Sequence, residues 1–89
     1  MQKITEIRTA RLFEKHYKRL PRSIKEKAKE REDIFRADAF DPRLRTHKLH
    51  GKDKDLWAFW IDYHYRIKFL FLDDHAALFL DVGRHDRVY

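Results

Sequence analysis

Residues 56–82 have the sequence LWAFWIDYHYRIKFLFLDDHAALFLDV, and this stretch decides the fold. It contains three short runs dense in aromatic and β-branched residues, as is typical of strands, at 56–63, 66–72 and 76–82. In the middle run the apolar residues Ile67, Phe69 and Phe71 alternate with Arg66 and Lys68, so one strand face is apolar and the other basic. Residues 73–75 suit a tight turn. The stretch therefore predicts an antiparallel meander.

The sequence before the meander has helical periodicity. Apolar residues at helical spacing predict one amphipathic helix over 10–20 and a second over 23–36, with Pro21 in the first turn of the latter. Residues 2–7 are expected to form a short first strand with Ile4 pointing inward. The segment 38–42, DAFDP, has the composition of a loop.

These elements predict a single α+β domain over residues 1–89, of order β-α-α-β-β-β. A helical hairpin would cover one face of an antiparallel sheet and leave the other face partly open and basic. The chain has 21 Lys and Arg residues against 15 Asp and Glu, a net charge of +6. A basic domain attracts nucleic acids, but many small proteins are basic without binding them, so charge alone leaves both interpretations open.

The absence of cysteine excludes a disulfide framework, a cysteine-based zinc site and a thiol nucleophile. No segment approaches the roughly 20 apolar residues that cross a bilayer, and the N-terminus does not have the pattern of a signal peptide. The expected location is the cytoplasm, with no membrane partner.

Three clusters of polar side chains are candidates for a functional site. The first is the segment 43–54, RLRTHKLHGKDK, which suits phosphate binding because lysine and arginine neutralise a nucleic-acid backbone. A charge run is more often a solvated loop, but the two histidines within this one favour a function. The candidate RNA-binding residues are Arg43, Arg45, Lys48, Lys52 and Lys54.

The second and third clusters lie at the ends of predicted strands. Residues 63–66, Tyr-His-Tyr-Arg, combine aromatic rings with an arginine, which suits base stacking beside a phosphate, although Tyr63 is more simply an ordinary strand aromatic. In the C-terminal segment, Gly83 is expected to release the last strand before Arg84, His85, Asp86, Arg87 and a closing Tyr89. The alternative for this segment is a frayed terminus.

These residue types match what RNA hydrolysis requires without a metal. A base takes the proton of the 2′-hydroxyl, an acid protonates the departing 5′-oxygen, and fixed cations stabilise the charge on the phosphate. Histidine serves as acid or base near neutral pH, and arginine suits bidentate contact with phosphate. The candidates are His47, His50, His64, His85, Arg66 and Arg84, and their convergence in space is a hypothesis. Because neither an HExxH motif nor paired cysteines occur, we expect no metal and no cofactor.

The stretch from Thr46 to Tyr89 resembles the second half of RelE/ParE superfamily toxins, nearest to the RelE and YafQ branch. The motifs are His-Lys-Leu-x-Gly at 47–51, the Tyr-Arg pair at 65–66 and the Val-Gly at 82–83, followed by basic residues and a late aromatic. A Lys-Arg-Leu-Pro turn at 18–21 extends the resemblance to the helices. The resemblance implies a ribosome-dependent endoribonuclease that cleaves messenger RNA and is silenced by an antitoxin.

The resemblance also implies roles for individual residues. His85 matches the general acid, Arg66 the phosphate stabiliser and Tyr89 the aromatic that stacks on or orients a base. Either Arg84 or His85 matches the late basic residue. His47 and His64 are both candidates for the general base, with Lys48 and Lys52 as electrostatic helpers, and Asp62 lies near the position of an aspartate in YafQ-like sites.

Two other functions remain alternatives. The ParE branch inhibits DNA gyrase and generally lacks the histidine set, so His47 and His85 favour the nuclease. A non-catalytic toxin-like binding module is the second alternative. The expected partners are messenger RNA, the ribosome and an antitoxin, and an acidic, partly disordered antitoxin segment suits the basic helical stretch 11–31 and the basic sheet face.

Overall fold

The aromatic-rich runs form the centre of a five-stranded sheet in the computed structural model, which describes residues 1–51 and 55–88. In chain order the elements are β1 (Glu6–Thr9), α1 (Arg11–Lys18), α2 (Arg22–Ala37), a 3-10 turn (Pro42–Leu44), β2 (His47–Lys48), β3 (Trp57–Trp60), β4 (Tyr65–Asp73), β5 (Ala76–Arg84) and α3 (His85–Val88). The strands lie in the order β1-β5-β4-β3-β2. The predicted α+β class, the two helices and the tight turn between β4 and β5 are confirmed.

The core lies between the helices and one face of the sheet. Phe35 of α2 is fully buried, and its ring centroid lies 4.9 Å from that of Phe59, 5.0 Å from that of Phe69 and 5.6 Å from that of Phe79. Phe13 of α1 contacts Phe79 at 5.4 Å. One aromatic cluster therefore joins both helices to the three central strands, because β3, β4 and β5 turn their alternate residues to the same side.

The sheet is mixed, where the sequence predicts an antiparallel one. β1 begins at Glu6 instead of Gln2 and pairs in parallel with β5, with Thr9 opposite Phe79. Ile4 is buried, as predicted, but it lies just before the strand. Parallel pairing requires a long crossover between the strands, and here the crossover contains all the elements between β1 and β5.

Three local features of the structure differ from the sequence-based predictions. The two-residue strand β2 forms an edge of the sheet that periodicity does not reveal. Leu12, one of the apolar residues whose helical spacing predicts the first helix, is 48% exposed. The strand β5 does not end at Gly83 but continues to Arg84. The residues after it form α3, which contradicts the alternative of a frayed terminus.

The second sheet face is less basic than predicted. Register places Lys68 and Asp81 opposite each other, and Leu70 opposite Leu78, so this face carries half-buried leucines beside its lysine. Arg66 faces the same side but is only 4% exposed. α3 contacts β4 and β5, and the leucines remain partly open to solvent. Within residues 1–51 and 55–88, no helix has the length and apolar character that a membrane span requires.

Candidate functional site

The turn between β3 and β4 presents His64 at one end of the sheet. The Asp62 carboxylate shapes this turn, because its Oδ1 accepts hydrogen bonds from the backbone N–H groups of His64 and Tyr65, both at 2.8 Å. The Ile61 N–H closes the hairpin on the Tyr65 carbonyl at 2.9 Å. The resemblance places Asp62 near the position of an aspartate in YafQ-like sites. In the structure, one of its carboxylate oxygens is engaged by these backbone N–H groups.

Arg66 stabilises the same turn through its side chain. Its Nη1 donates to the carbonyl oxygens of Asp62 and Tyr63, both at 2.7 Å, and its Cζ lies 3.9 Å from the Trp60 ring centroid. Trp60 and Arg66 are cross-strand partners, so the hairpin register creates this stacking. Among residues 1–51 and 55–88, the buried Nε of Arg66 has no hydrogen-bond partner. Arg66 thus contributes positive charge under the turn, with one terminal nitrogen engaged by backbone carbonyls.

Asp81 fixes the C-terminal helix. This carboxylate is 7% exposed and accepts hydrogen bonds from Arg87 Nη1 of α3 at 3.0 Å and from His16 Nδ1 of α1 at 2.7 Å. Burial opposes its ionisation, but the hydrogen bonds from Arg87, His16 and the Val82 N–H (2.8 Å) outweigh burial and lower its pKa. Asp81 therefore stays ionised and ties both helices to β5.

Gly83 makes this arrangement possible. A Cβ at Gly83 would lie within 2.6 Å of Arg87 Nε and nearer still to Nη2. Arg87 Nη2 also donates to the Val82 carbonyl. The glycine therefore makes room for a close approach of the Arg87 guanidinium and does not act as the release point predicted from sequence.

Four of the predicted catalytic residues line one cavity of about 430 Å³ between the β3–β4 turn and α3. The His85 N–H donates to the His64 carbonyl at 2.7 Å, which joins the two segments directly. The side chains around the cavity are those of Trp60, Tyr63, His64, Arg66, Arg84, His85 and Asp86. The hypothesis of convergence is therefore correct for His64, Arg66, Arg84 and His85.

The other predicted residues lie beside this cavity or away from it. Arg45 stacks on Trp60, the ring that Arg66 also contacts, with its Cζ 4.6 Å from the ring centroid. His47 lies in β2 opposite Ala58, with its Nδ1 2.8 Å from the Arg45 carbonyl, and is not among the residues that line the cavity. Lys48 is exposed in the same strand. Lys52, Lys54 and Tyr89 lie outside the described residues.

Arg43 is paired with an acid. Its Nε and Nη2 donate to the two carboxylate oxygens of Asp41, at 3.0 and 2.9 Å. The Arg43 side chain and backbone N–H hydrogen bonds lower the pKa of Asp41 to about 2, and the same ion pair raises the pKa of Arg43. The charge that Arg43 offers to a phosphate is therefore partly compensated.

In the described part of the chain, no group of three or more histidine, aspartate or glutamate residues is placed to hold a metal ion. His47 and His50, which sequence allows as a metal-binding pair, lie in and just after the short edge strand β2.

Three residues contribute to this region although the sequence alone assigned none of them a role. Trp60 stacks with two arginines, Asp86 lines the cavity, and Asp81 anchors α3. An acidic residue inside the apolar run AALFLDV was a signal for Asp81, because a buried carboxylate needs partners. The contact of Trp60 could also have been predicted from the sequence. A hairpin centred on residues 61–65 places Trp60 directly opposite Arg66, where the two side chains can interact.

Comparison with known proteins identifies the fold. Neither a protein-family model nor a curated protein sequence matches the chain. A YoeB/ParE toxin from Agrobacterium tumefaciens superposes with a TM-score of 0.77 at 13% identity, over 91% of this chain and 99% of that one. An archaeal RelE–RelB complex from Pyrococcus horikoshii gives 0.73 at 19% identity, over 98% of this chain and 99% of that one.

The DinJ–YafQ toxin–antitoxin complex from E. coli gives a TM-score of 0.73 at 17% identity, over 100% of this chain and 99% of the matched chain. The chain therefore has the fold of the RelE, YafQ and YoeB toxins across nearly its full length. The fold that the sequence resemblance implied is confirmed.

Proposed function

We propose that this protein, which has the RelE-like toxin fold, is the toxin of a type II toxin–antitoxin pair and cleaves messenger RNA on the ribosome. The observation that carries the proposal is the cavity in which His64, His85, Arg66 and Arg84 meet. These are the residue types that metal-independent cleavage beside a 2′-hydroxyl requires. The sequence resemblance implies the same reaction.

In the proposed reaction, His64 is the general base and His85 the general acid. His64 is favoured over His47 as the base because it lines the same cavity as His85, whereas His47 does not. Two histidines held on adjacent segments can face opposite sides of one phosphate, so that one removes the 2′-hydroxyl proton while the other protonates the 5′-oxygen.

The arginines would stabilise the charge that develops on the phosphate. Arg84 is exposed at the cavity wall and suits direct contact with phosphate oxygens. Arg66 would act on the phosphate through its positive charge, because its Nη1 is engaged by the carbonyl oxygens of the turn. Arg45, stacked on Trp60, extends the positive surface along which RNA would approach.

The proposal is tested by primer extension on a defined messenger RNA with stalled ribosomes. His85→Ala is expected to lower the cleavage rate by about 100-fold or more, because general acid catalysis contributes about that factor. Arg84→Ala is expected to lower it comparably. His75→Ala and Arg22→Ala are the matched controls, since both side chains are exposed and line neither this cavity nor the neighbouring one.

Cuts in the A-site codon that disappear in both site variants and persist in both controls would support the proposal. Uncut RNA, together with trapped gyrase–DNA complexes in a parallel assay, would replace it with gyrase inhibition. Arg66→Ala is a poor test, because loss of the bonds to Asp62 and Tyr63 would disturb the turn itself.

A further inference from the structure

A second cavity adjoins the candidate site on the other side of Arg84. It has a volume of about 400 Å³, within the range of about 300–1,000 Å³ typical of small-ligand sites. It lies between the end of α1, the ends of β4 and β5, and α3. Arg84 and Asp86 line both cavities, so the two spaces are neighbours on either side of these residues.

The walls of the second cavity differ in chemistry. The apolar part is formed by Leu20, Pro21 and the ring of Tyr65, which is only half-buried. Arg84 lies over that ring, with its Cζ 5.8 Å from the centroid. An aromatic ring with an apolar floor suits stacking of a nucleobase, which is tolerant of base identity because every base has a π-face.

In the described part of the chain, two cations of this cavity lack an acidic partner. The Asp81 carboxylate already pairs with His16 and Arg87. By contrast, in the part of the chain that the structure describes, the exposed side chains of Arg19 and Arg84 form neither an ion pair nor a hydrogen bond. Arg19 stands at the end of α1 and Arg84 on β5, and Asp86 lines both cavities.

We propose that the second cavity binds a further nucleotide of the RNA strand, adjacent to the one cleaved. Tyr65 stacks on its base, Arg19 binds its phosphate, and Arg84 contacts the phosphate that joins the two nucleotides. Asp86 accepts a hydrogen bond from a base amino group. This inference rests on the proposed function, because it extends the same RNA strand from the first cavity into the second.

The test uses 2′-O-methyl RNA, which lacks the nucleophile for cleavage, in two lengths: one nucleotide with a 3′-phosphate, which fills only the first cavity, and three nucleotides, which also reach the second. Binding is measured by fluorescence polarisation at several salt concentrations with the full chain. Wild type is expected to bind the longer RNA about tenfold more tightly. Arg19→Ala is expected to lose this gain, to bind the short RNA as wild type does, and to reduce the salt slope for the longer RNA by about 0.7, the contribution of one phosphate contact on a single strand.

Arg22→Ala is the matched control, because this exposed arginine is three residues from Arg19 and lines neither cavity. It is expected to keep both the gain and the slope. If Arg19→Ala keeps them as well, or if wild type binds both lengths equally, the second subsite is ruled out while the proposed function stands. If wild type binds neither RNA, the second subsite is also ruled out, and primer extension with stalled ribosomes decides the proposed function separately.

Discussion

Gly83 shows at the residue scale how the absence of a side chain can determine an ion pair. Its missing Cβ leaves the space that the Arg87 guanidinium occupies between Asp81 and the Val82 carbonyl. The obstruction in a Gly83→Ala variant would be the end of a flexible side chain, not backbone. The damage should therefore be limited to the loss of the Arg87 contacts.

We expect Gly83→Ala to lower the free energy of unfolding by about 1–3 kcal/mol, the usual effect of losing a hydrogen bond to a charged group. Arg87→Ala should cost a similar amount, and the double variant should cost no more than either one. Chemical denaturation of the four proteins measures this cycle. If the two costs add in the double variant, Gly83 has a role apart from Arg87.

At the scale of elements, α3 depends on the ionisation of Asp81. Because the folded pKa of Asp81 lies below its ordinary value of 3.8, ionised Asp81 stabilises the fold above about pH 4, and this contribution is lost as the pH falls through the lower, folded pKa. Asp81→Asn removes the charge at every pH. Its melting temperature should therefore lie below that of wild type at pH 7, and the difference should shrink as the pH falls below about 4.

Thermal unfolding of both proteins between pH 7 and pH 2 measures this effect. Asp41 and Asp38, whose pKa values are also lowered, are retained in Asp81→Asn, so some acid sensitivity should persist. A melting-temperature difference that stays constant over the whole range would show that the charge of Asp81 is not what stabilises α3.

The elements that sequence predicts are those with a clear repeat. Alternation marks β4 and helical spacing marks α1 and α2, because each element is long enough to bury one face. The strand β2 has two residues and α3 has four, which is too short for either period to appear. The parallel pairing of β1 with β5 was also missed, since it depends on contacts between distant parts of the chain.

The candidate site was predictable as a set of residue types but not as an arrangement. Sequence gives His64, Arg66, Arg84 and His85 as candidates, and only the folded hairpin and α3 bring them together. The burial of Arg66 could not be inferred from alternation, because alternation tells which face a side chain takes and not what covers it.

At the scale of the whole molecule, the open sheet face suits an antitoxin. Leu70 and Leu78 lie half-buried on it, with Lys68 beside them, so a partner segment with apolar and acidic side chains would complement it. A partner that binds only the folded chain, present at a free concentration of about 100 times its Kd, adds about 2.7 kcal/mol to the free energy of unfolding. For a domain of this size, that raises the melting temperature by about 10 °C or more.

Thermal unfolding with and without the product of the adjoining gene measures this rise. Leu78→Glu should reduce it, whereas His75→Glu, in the exposed turn between β4 and β5, should leave it unchanged. An equal rise in melting temperature in both variants would show that the partner binds a different surface.

The parallel pairing of β1 with β5 also determines when the protein can fold during its synthesis. Thr9 is translated about 70 residues before its partner Phe79, whose ring is also the one that Phe13 contacts. Until then the first strand has no neighbour in the sheet and the first helix lacks the ring against which it packs. A nascent chain therefore cannot complete its core until β5 has left the ribosomal exit tunnel, and any activity begins only after that.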